Sequence, residues 1–298
     1  MPKKTKFPKP SIIIVNYNGK KFLPKLLNSL KKTKYPNYEI IFVDNSSIDN
    51  SIDIAIKHSQ KIEIIKNANT GFAGGCNTGI KACSSDSEYV VILNNDMYVH
   101  RNWLSYLMET MQSDQKIAIV GYSRLFPESD KIETLGNECI NKNTAKFKKI
   151  GTGHLLKGYL DKKPIEVAFC LGLIRKSVLN KVGLFDEKNF AMYEEADLCR
   201  RIKDAGYKIV VNPKSKVWHF GSQSFKKTST FRIYYSYRNR LRYVLKHNKG
   251  FGKIYYGFIL CGIYFYKMIK FALKKRFDCS WASLRGISWN IWNWRDYL

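Results

Sequence analysis

Residues 89–97 read Tyr-Val-Val-Ile-Leu-Asn-Asn-Asp-Met, an apolar run halted by three polar residues in succession. A short apolar run without polar alternation suits an interior strand of a parallel sheet, covered by helices on both faces. The stop places Asn94, Asn95 and Asp96 where that strand emerges. The same pattern recurs on both sides. Ser11–Val15 is a β-branched run ended by Asn16-Tyr17-Asn18-Gly19, and Tyr38–Val43 is a second buried strand. Asp44-Asn45-Ser46-Ser47 closes that strand and caps a helix over Ile48–His58. Ile62–Ile65 and Ile117–Val120 read as further strands. Helices fall between them: one with Phe22, Leu23, Leu26, Leu27 and Leu30 on one face, one from a Gly-rich turn to about Cys83, and one over Trp103–Met111. Strict alternation of this kind predicts an α/β fold, an open and mostly parallel sheet flanked by helices. Ligands of such sheets bind beyond the carboxyl ends of the strands, and the polar clusters here fall at those ends.

From about Arg124 to Pro164 the periodicity fades into a loop-rich excursion with small strands. Glu166–Arg175 reads as a strand, Val178–Val182 as a short helix, Glu195–Ala205 as a longer helix stopped by Gly206, and Lys208–Val211 as a strand. Beyond Trp218 the chain turns basic, aromatic and helical. The 298 residues suffice for one large α/β domain with an extension, or for two small domains. A content of 45% hydrophobic and 14% aromatic residues excludes general disorder. The net charge is +27, and no acidic residue occurs between Asp204 and Asp278. A basic block of this length suits an anionic partner, whether nucleic acid, an acidic lipid surface or phosphorylated substrates; it also suits a solvated face in a Lys-rich chain. Seven cysteines without a CxxC pair fit reduced, structural thiols in the cytosol, with neither a disulfide framework nor a zinc site. The opening MPKKTKFPKP lacks the apolar region of a secretory signal. The longest charge-free apolar stretch, Ile254–Tyr266, falls short of the roughly 20 residues that span a bilayer.

Certain residue types carry chemistry at these positions. A carboxylate at Asp96, with Asn94 two residues earlier on the same side of the strand, can hold Mg²⁺ or Mn²⁺ against a diphosphate; taken alone, Asn94-Asn95-Asp96 also suits a plain turn. Asp44 can accept a hydrogen bond from a pyrimidine N–H or cap the following helix, through different oxygens. Tyr17 can stack on a base, or be an ordinary strand-end aromatic. The segment Asn69-Thr70-Gly71-Phe72-Ala73-Gly74-Gly75-Cys76-Asn77-Thr78-Gly79 opens a helix whose glycines let backbone N–H groups approach phosphate. It matches neither the dinucleotide nor the P-loop pattern. Glu194, Glu195 and Asp197 start another helix. There a partly desolvated carboxylate can act as general base, or simply complement the helix dipole. His219, following Trp218, reads by itself as structural.

In order and spacing, these segments resemble glycosyltransferase family 2, of the GT-A fold. SIIIVNYNG, IIFVDNSSIDNS, NTGFAGGCNTGI and VVILNNDM are similar to its nucleotide-binding half. The stretch from LGLIRKSVLNKVGLFDE through MYEEADLCRRIKDAGYKIVVNPKSKVWHFGSQS is similar to its acceptor and catalytic segment. The resemblance covers residues 11 to about 225 and has the flavour of rhamnosyltransferase-like members. It implies a Rossmann-like GT-A catalytic domain over 11–225, with a nucleotide-sugar half over 11–123 and an acceptor half over 124–225. A basic tail (1–10) precedes it and a helical region (226–298) follows. It further implies an inverting transfer from a UDP- or dTDP-sugar, rhamnose among the candidates, to a glycan or lipid-linked saccharide acceptor in surface polysaccharide or glycoconjugate synthesis. On the matching positions, Asp44 would recognise the base. Tyr17, Asn69, Gly74, Gly75, Asn77, Asn94 and Asn95 would line the nucleotide-sugar site. Asp96 and His219 would hold the metal, and Glu195 would be the base. Two departures matter: Asn94 replaces the first Asp of the DXD-like motif, and Glu stands for Asp at 195, which makes Asp197 a rival.

Two other classes compete. A non-catalytic, lectin-like or scaffold protein of the same fold would not retain Asp44, Asp96, a carboxylate pair and His219 together. A nucleotidyltransferase or nucleic-acid-binding protein would explain the charge, yet the basic block lies outside the Gly-rich, Asp-bearing half and no nucleic-acid module is visible. The C-terminal quarter instead interleaves Arg232, Arg238, Arg240, Arg242 and Lys246 with tyrosines, then places Lys267, Lys270, Lys274, Lys275 and Arg276 after an aromatic run. That pattern predicts a helix lying in an anionic membrane interface at the cytoplasmic face, against the alternatives of a packed helical cap or a dimer surface.

Overall fold

The apolar runs that open the chain become the centre of a sheet, where Ile12–Ile14, Ile41–Val43 and Val90–Leu93 lose all contact with solvent. A computed structural model describes residues 7–58, 62–221 and 229–297. Residues 1–6 of the basic tail and the 225/226 boundary therefore lie outside the described residues. Two compact units emerge: residues 1–138, 149–187 and 195–221 form the first, and 139–148, 188–194 and 222–298 the second. The C-terminal unit thus takes in two short segments from mid-chain, so a single cut near residue 225 does not separate the units.

In the first unit, β1 (Pro10–Asn16), β2 (Glu39–Asn45), β3 (Ile62–Asn67) and β4 (Tyr89–Asn94) run parallel in the order β4-β1-β2-β3. A three-residue strand, β5 (Met97–Val99), follows the turn after β4. Next come β6 (Ile117–Leu125) and β7 (Ile132–Thr134), which pair antiparallel. The small strands β8 (Asn137–Asn141) and β9 (Lys146–Lys149), most of whose residues belong to the second unit, make a separate two-stranded sheet. The run 166–175 is two strands, not one: β10 (Ile165–Glu166) lies on the sheet edge, while β11 (Gly172–Arg175) inserts antiparallel between β4 and β6. Between them the backbone leaves the ladder, with Ala168 N–H bonded to the carbonyl of Asn137 at 2.7 Å. The last strand, β12 (Lys208–His219), runs parallel to β6 and extends well beyond Val211. Pro213 lacks a ladder donor, and a register shift between Asn212 and Lys216 absorbs it.

Helices α1 (Leu23–Lys31), α2 (Ser51–His58), α3 (Gly71–Ala82), α4 (Trp103–Ser113), α5 (Lys176–Val182) and α6 (Glu194–Asp204) connect the strands. The second helix starts at Ser51 rather than Ile48. Asp49 satisfies the Ser51 N–H, whereas Asp44 closes a tight turn through the Ser47 N–H. The glycines of α3 have a packing reason. A Cβ on Gly79 would sit 2.4 Å from Ile13 Cγ2, and one on Gly75 would sit 2.6 Å from Val15 Cγ1. Hydrogen there lets the helix approach β1 closely.

The second unit is built on α7 (Thr230–His247), α8 (Gly250–Leu273) and α9 (Phe277–Trp292). Ile233, Cys279 and Ala282 form its small core. Asn239 donates to the carbonyls of Asn189, Ala191 and Met192 at 2.7–2.8 Å, holding a segment in which Phe190, Met192 and Tyr193 all have positive φ. Each such residue stores roughly 1–3 kcal/mol of strain that surrounding contacts must offset. Helix α8 has 24 residues and, by length and composition alone, is long and apolar enough to cross a membrane. The charge-free stretch Ile254–Tyr266 is only the middle of this helix, which also takes in Lys253, Lys267 and Lys270 and so exceeds the length expected from the stretch alone.

Replacing Gly79 with Ala tests the close approach of α3. Ala is the better helix former by roughly 1 kcal/mol, but overpacking against Ile13 costs about 1–3 kcal/mol. The expected result is a lower denaturation midpoint; a raised one would mean that β1 and α3 part without penalty.

Candidate functional site

Strand β5 pairs antiparallel with the end of β12, setting His219 opposite Met97. The backbone N–H of Phe220 donates to the Asp96 carbonyl at 2.9 Å. His219 Nε2 consequently lies 3.2 Å from Asp96 Oδ2, and its Nδ1 lies 2.7 Å from Glu133 Oε2. Glu133 also faces Arg124 Nε at 3.0 Å and Lys149 Nζ at 2.8 Å. Burial alone would lower the His219 pKa, but the two carboxylates outweigh it and raise it. Burial would raise the Glu133 pKa, yet His219, Arg124 and Lys149 hold that carboxyl well below the usual range. Read by itself as structural, His219 is drawn into this polar chain. Glu133 and Arg124 lie in and beside the stretch without periodicity, where no sequence signal marked them.

Asp96 is buried at the turn between β4 and β5, and Asn94 ends β4. Asp96 Oδ1 and Asn94 Oδ1 are both buried and accept no hydrogen bond. Two desolvated oxygen acceptors without donors beside an imidazole make a poor resting arrangement by themselves. They do suit a hard divalent cation. No group of three or more His, Cys, Asp or Glu among the described residues forms a complete cage. Mg²⁺-type sites commonly take one or two protein carboxylates and complete the shell with substrate phosphates and water.

Asn16, which the sequence analysis did not single out, ties three strand ends together. Its Nδ2 donates to Asp44 Oδ1 at 2.7 Å, and its Oδ1 accepts from Asn95 Nδ2 at 2.8 Å. Asp44 is buried and already accepts from Asn16, from the Ser47 hydroxyl at 2.6 Å and from the Ser47 N–H at 2.9 Å. Tyr17, next to this hub, is half exposed. Asn69 accepts from the Gly71 N–H at 3.2 Å. A Cβ at Gly74 would strike the Thr70 side chain, and Gly75 packs on β1, so these glycines serve helix packing. Asn77 is engaged within the fold: its amide donates to the Phe185 carbonyl and Glu187 and accepts from the Phe185 N–H. Both ends of the side chain brace that loop.

The helix start separates the two rival bases. Asp197 is buried and receives Arg201 Nε at 3.0 Å and Nη2 at 2.9 Å. Arg201 also donates to the carbonyls of Val182, Gly183 and Leu184, so the pair clamps the end of α5. Glu195 instead lines a cavity of about 20 Å³ with Tyr122, Arg124 and Cys170, room for one water-sized group. Burial pushes the Glu195 carboxyl up, against the opposing pull of Arg124, His219 and Lys149. Tyr122 lines that cavity beside Glu195, and burial pushes its own hydroxyl pKa up.

Residues 11–183 match the family profile "Glycosyl transferase family 2". The chain is 26% identical over 243 residues to a probable glycosyltransferase, YdaM, of Bacillus subtilis (strain 168), covering 78% of this chain and 54% of that one. It therefore spans about half the length of that relative. GalNAc-T7, solved with UDP, GalNAc and Mn²⁺, superposes with a TM-score of 0.63 at 18% identity, over 81% of this chain and 48% of the other. S. aureus TarS 1-349, in complex with UDP-GlcNAc, superposes with a TM-score of 0.56 at 16% identity, over 93% and 79%. At these identities the two structures establish the fold. The chain belongs to glycosyl transferase family 2.

Stability measurements distinguish the two carboxylates. Asp197→Ala leaves Arg201 without its partner and costs roughly 2–4 kcal/mol. The raised Glu195 pKa means that ionising this group opposes folding, a penalty absent below the carboxyl's ordinary pKa and complete above its folded one. Glu195→Gln is therefore expected to match the parent at low pH and exceed it near pH 8, read by denaturant unfolding. A loss of stability at pH 8 would give Glu195 a structural task instead.

Proposed function

We propose that this member of glycosyl transferase family 2 transfers a sugar, with inversion, from a pyrimidine nucleotide-diphosphate donor to an acceptor hydroxyl. The observation that carries this reading is the pair of buried oxygens without donors, on Asn94 and Asp96, beside His219, in a chain that also holds a desolvated Glu195 at a cavity. Asp44 has one acceptor position left on Oδ2 for a base N–H, and Tyr17 offers its exposed ring for stacking. Asn94, Asp96 and His219 would hold Mg²⁺ or Mn²⁺, which supplies charge stabilisation to the departing diphosphate. Glu133 grips the far nitrogen of His219, orienting the imidazole as carboxylates do in metal sites. Glu195 takes the proton from the acceptor hydroxyl as that oxygen attacks the anomeric carbon opposite the leaving group. Its raised pKa strengthens it as a base. GalNAc-T7 with UDP and Mn²⁺ and TarS with UDP-GlcNAc support UDP-sugars as first donors to try, with dTDP-rhamnose beside them. The acceptor in this reading is a glycan or lipid-linked saccharide of surface polysaccharide synthesis.

Release of nucleoside diphosphate from a donor panel, with Mg²⁺ or Mn²⁺, tests the activity. Asp96→Ala is expected to abolish metal-dependent turnover and donor binding. Glu195→Gln is expected to lower kcat about 10²–10⁴-fold while sparing donor binding. Full transfer by Asp96→Ala in the presence of a chelator would sink the metal-assisted mechanism. Activity should rise with pH through a pKa above the ordinary carboxylate value, because the base works deprotonated.

The exposed face of α8 supports a peripheral place on the cytoplasmic side of a membrane. Phe251, Phe258 and Leu273 are 78%, 82% and 80% exposed, and Trp281 and Trp292 of α9 are exposed as well. An aromatic and apolar surface edged by Lys and Arg suits an anionic interface, where each cation contributes roughly 1 kcal/mol. Co-sedimentation with anionic vesicles is expected to weaken as salt rises, and to fall at least tenfold when Phe251, Phe258 and Leu273 become Ser. Indifference of the parent chain to such vesicles would remove this part of the reading.

A further inference from the structure

Helix α8 divides lengthwise into three faces. Gly257, Leu260 and Tyr264 turn inward. Phe251, Ile254, Phe258, Phe265, Ile269 and Leu273 form an exposed apolar stripe. The third face carries Lys267 and Lys270, which with the capping residue Lys274, Phe271 and Tyr237 of α7 line a pocket of about 290 Å³. Tyr237 and Tyr264 stack at 4.1 Å, and Lys267 lies over both rings at 5.4 and 5.9 Å. Among the described residues no carboxylate pairs with any of the three ammonium groups. Like charges at i, i+3 and i+7 on one helix face repel one another, and elsewhere in this unit the cations near acidic groups do pair, as Arg242 does with Asp296. Three uncompensated cations around a concavity favour an anion of more than one charge.

We propose that this pocket binds the phosphate headgroup of a membrane lipid, selecting a terminal phosphomonoester or diphosphate over a phosphodiester. A terminal phosphate carries close to two charges and three strong acceptor oxygens, whereas a phosphodiester carries a single charge. Lysine ammoniums act as point charges with three rotatable donors each, so three of them satisfy such a group without fixed geometry. The lipid source follows from the same helix: Tyr266, Ile269 and Leu273 present apolar surface beside the lysine face, where an acyl or prenyl chain can lie. The proposal rests on the membrane reading above and narrows it from a charged surface to one headgroup pocket.

The full chain should be sedimented with phosphatidylcholine vesicles containing phosphatidic acid or phosphatidylglycerol, matched for total surface charge. The expected result is binding to phosphatidic acid at least fivefold tighter. Replacing Lys267, Lys270 and Lys274 together with Gln should erase that preference while phosphatidylglycerol binding falls no more than a few-fold. Replacing Lys253, Arg285 and Arg295 with Gln should weaken both alike and leave the preference intact. Equal binding of the parent chain to both vesicles overturns the pocket and leaves the membrane reading standing; binding to neither overturns both. Titration with inorganic diphosphate alone decides the source: affinity equal to that for the vesicles overturns a lipid headgroup as the ligand.

Discussion

The short antiparallel pairing of Met97–Val99 with Val217–His219 is the constraint on which the site depends. Asp96 comes from the end of a strand in the N-terminal part of the sheet, and His219 from a strand more than a hundred residues later. Three residue pairs hold them in register. A ladder this short gains from its side chains, and Tyr98 stacks on Trp218 at 5.0 Å, nearly parallel. Phe220 continues the layer against Phe22 and Tyr98, and Lys25 lies over Tyr98 and Phe220. This aromatic stack does for β5 what a longer strand would do with backbone bonds.

The parallel sheet was legible in the residues because its strands are apolar runs with polar stops, and the stops coincide with Asp44 and Asp96. What lay beyond reading was partnership. A four-residue strand such as β11 carries no mark of its neighbours, so its antiparallel insertion between β4 and β6 could not be foreseen. Glu133 sits in a segment without hydrophobic period, and its partners Arg124, Lys149 and His219 converge only through tertiary structure. The Gly-rich helix was ambiguous for a different reason. Glycine that lets a backbone near phosphate is indistinguishable, in one sequence, from glycine that lets a helix near a strand. Glu195 and Asp197 were left open as bases because both open the same helix. Arg201, one turn after Asp197, is the i,i+4 partner that gives Asp197 its structural task.

Charge is handled in opposite ways in the two units. Around the candidate site Arg124, Lys149 and His219 all converge on the single carboxylate of Glu133, and Arg124, which also lines the cavity with Glu195, is thereby held in place. Such preorganisation matters for electrostatic catalysis, since dipoles and charges fixed beforehand need not reorganise during the reaction. Much of the excess that makes up the +27 lies instead in the helical unit, where basic side chains stand over tyrosine and tryptophan rings, as Arg238 does over Tyr235 and Trp289.

The mid-chain segments that join the helical unit also bear on how the polypeptide matures. Residues 188–194 follow strand β11, yet the side chains that anchor them, Arg238 and Asn239, emerge from the ribosome some fifty residues later. Residues 143–144 wait longer still for Asn248 and Arg240. During synthesis the sheet can collect its strands while two loops remain without donors for their carbonyls, and only arrival of α7 lets them settle. Loop-closure entropy makes such late, distant contacts slow to form. The left-handed backbone at Phe190, Met192 and Tyr193, unfavourable until Asn239 docks, is then among the last parts of the chain to reach its native shape.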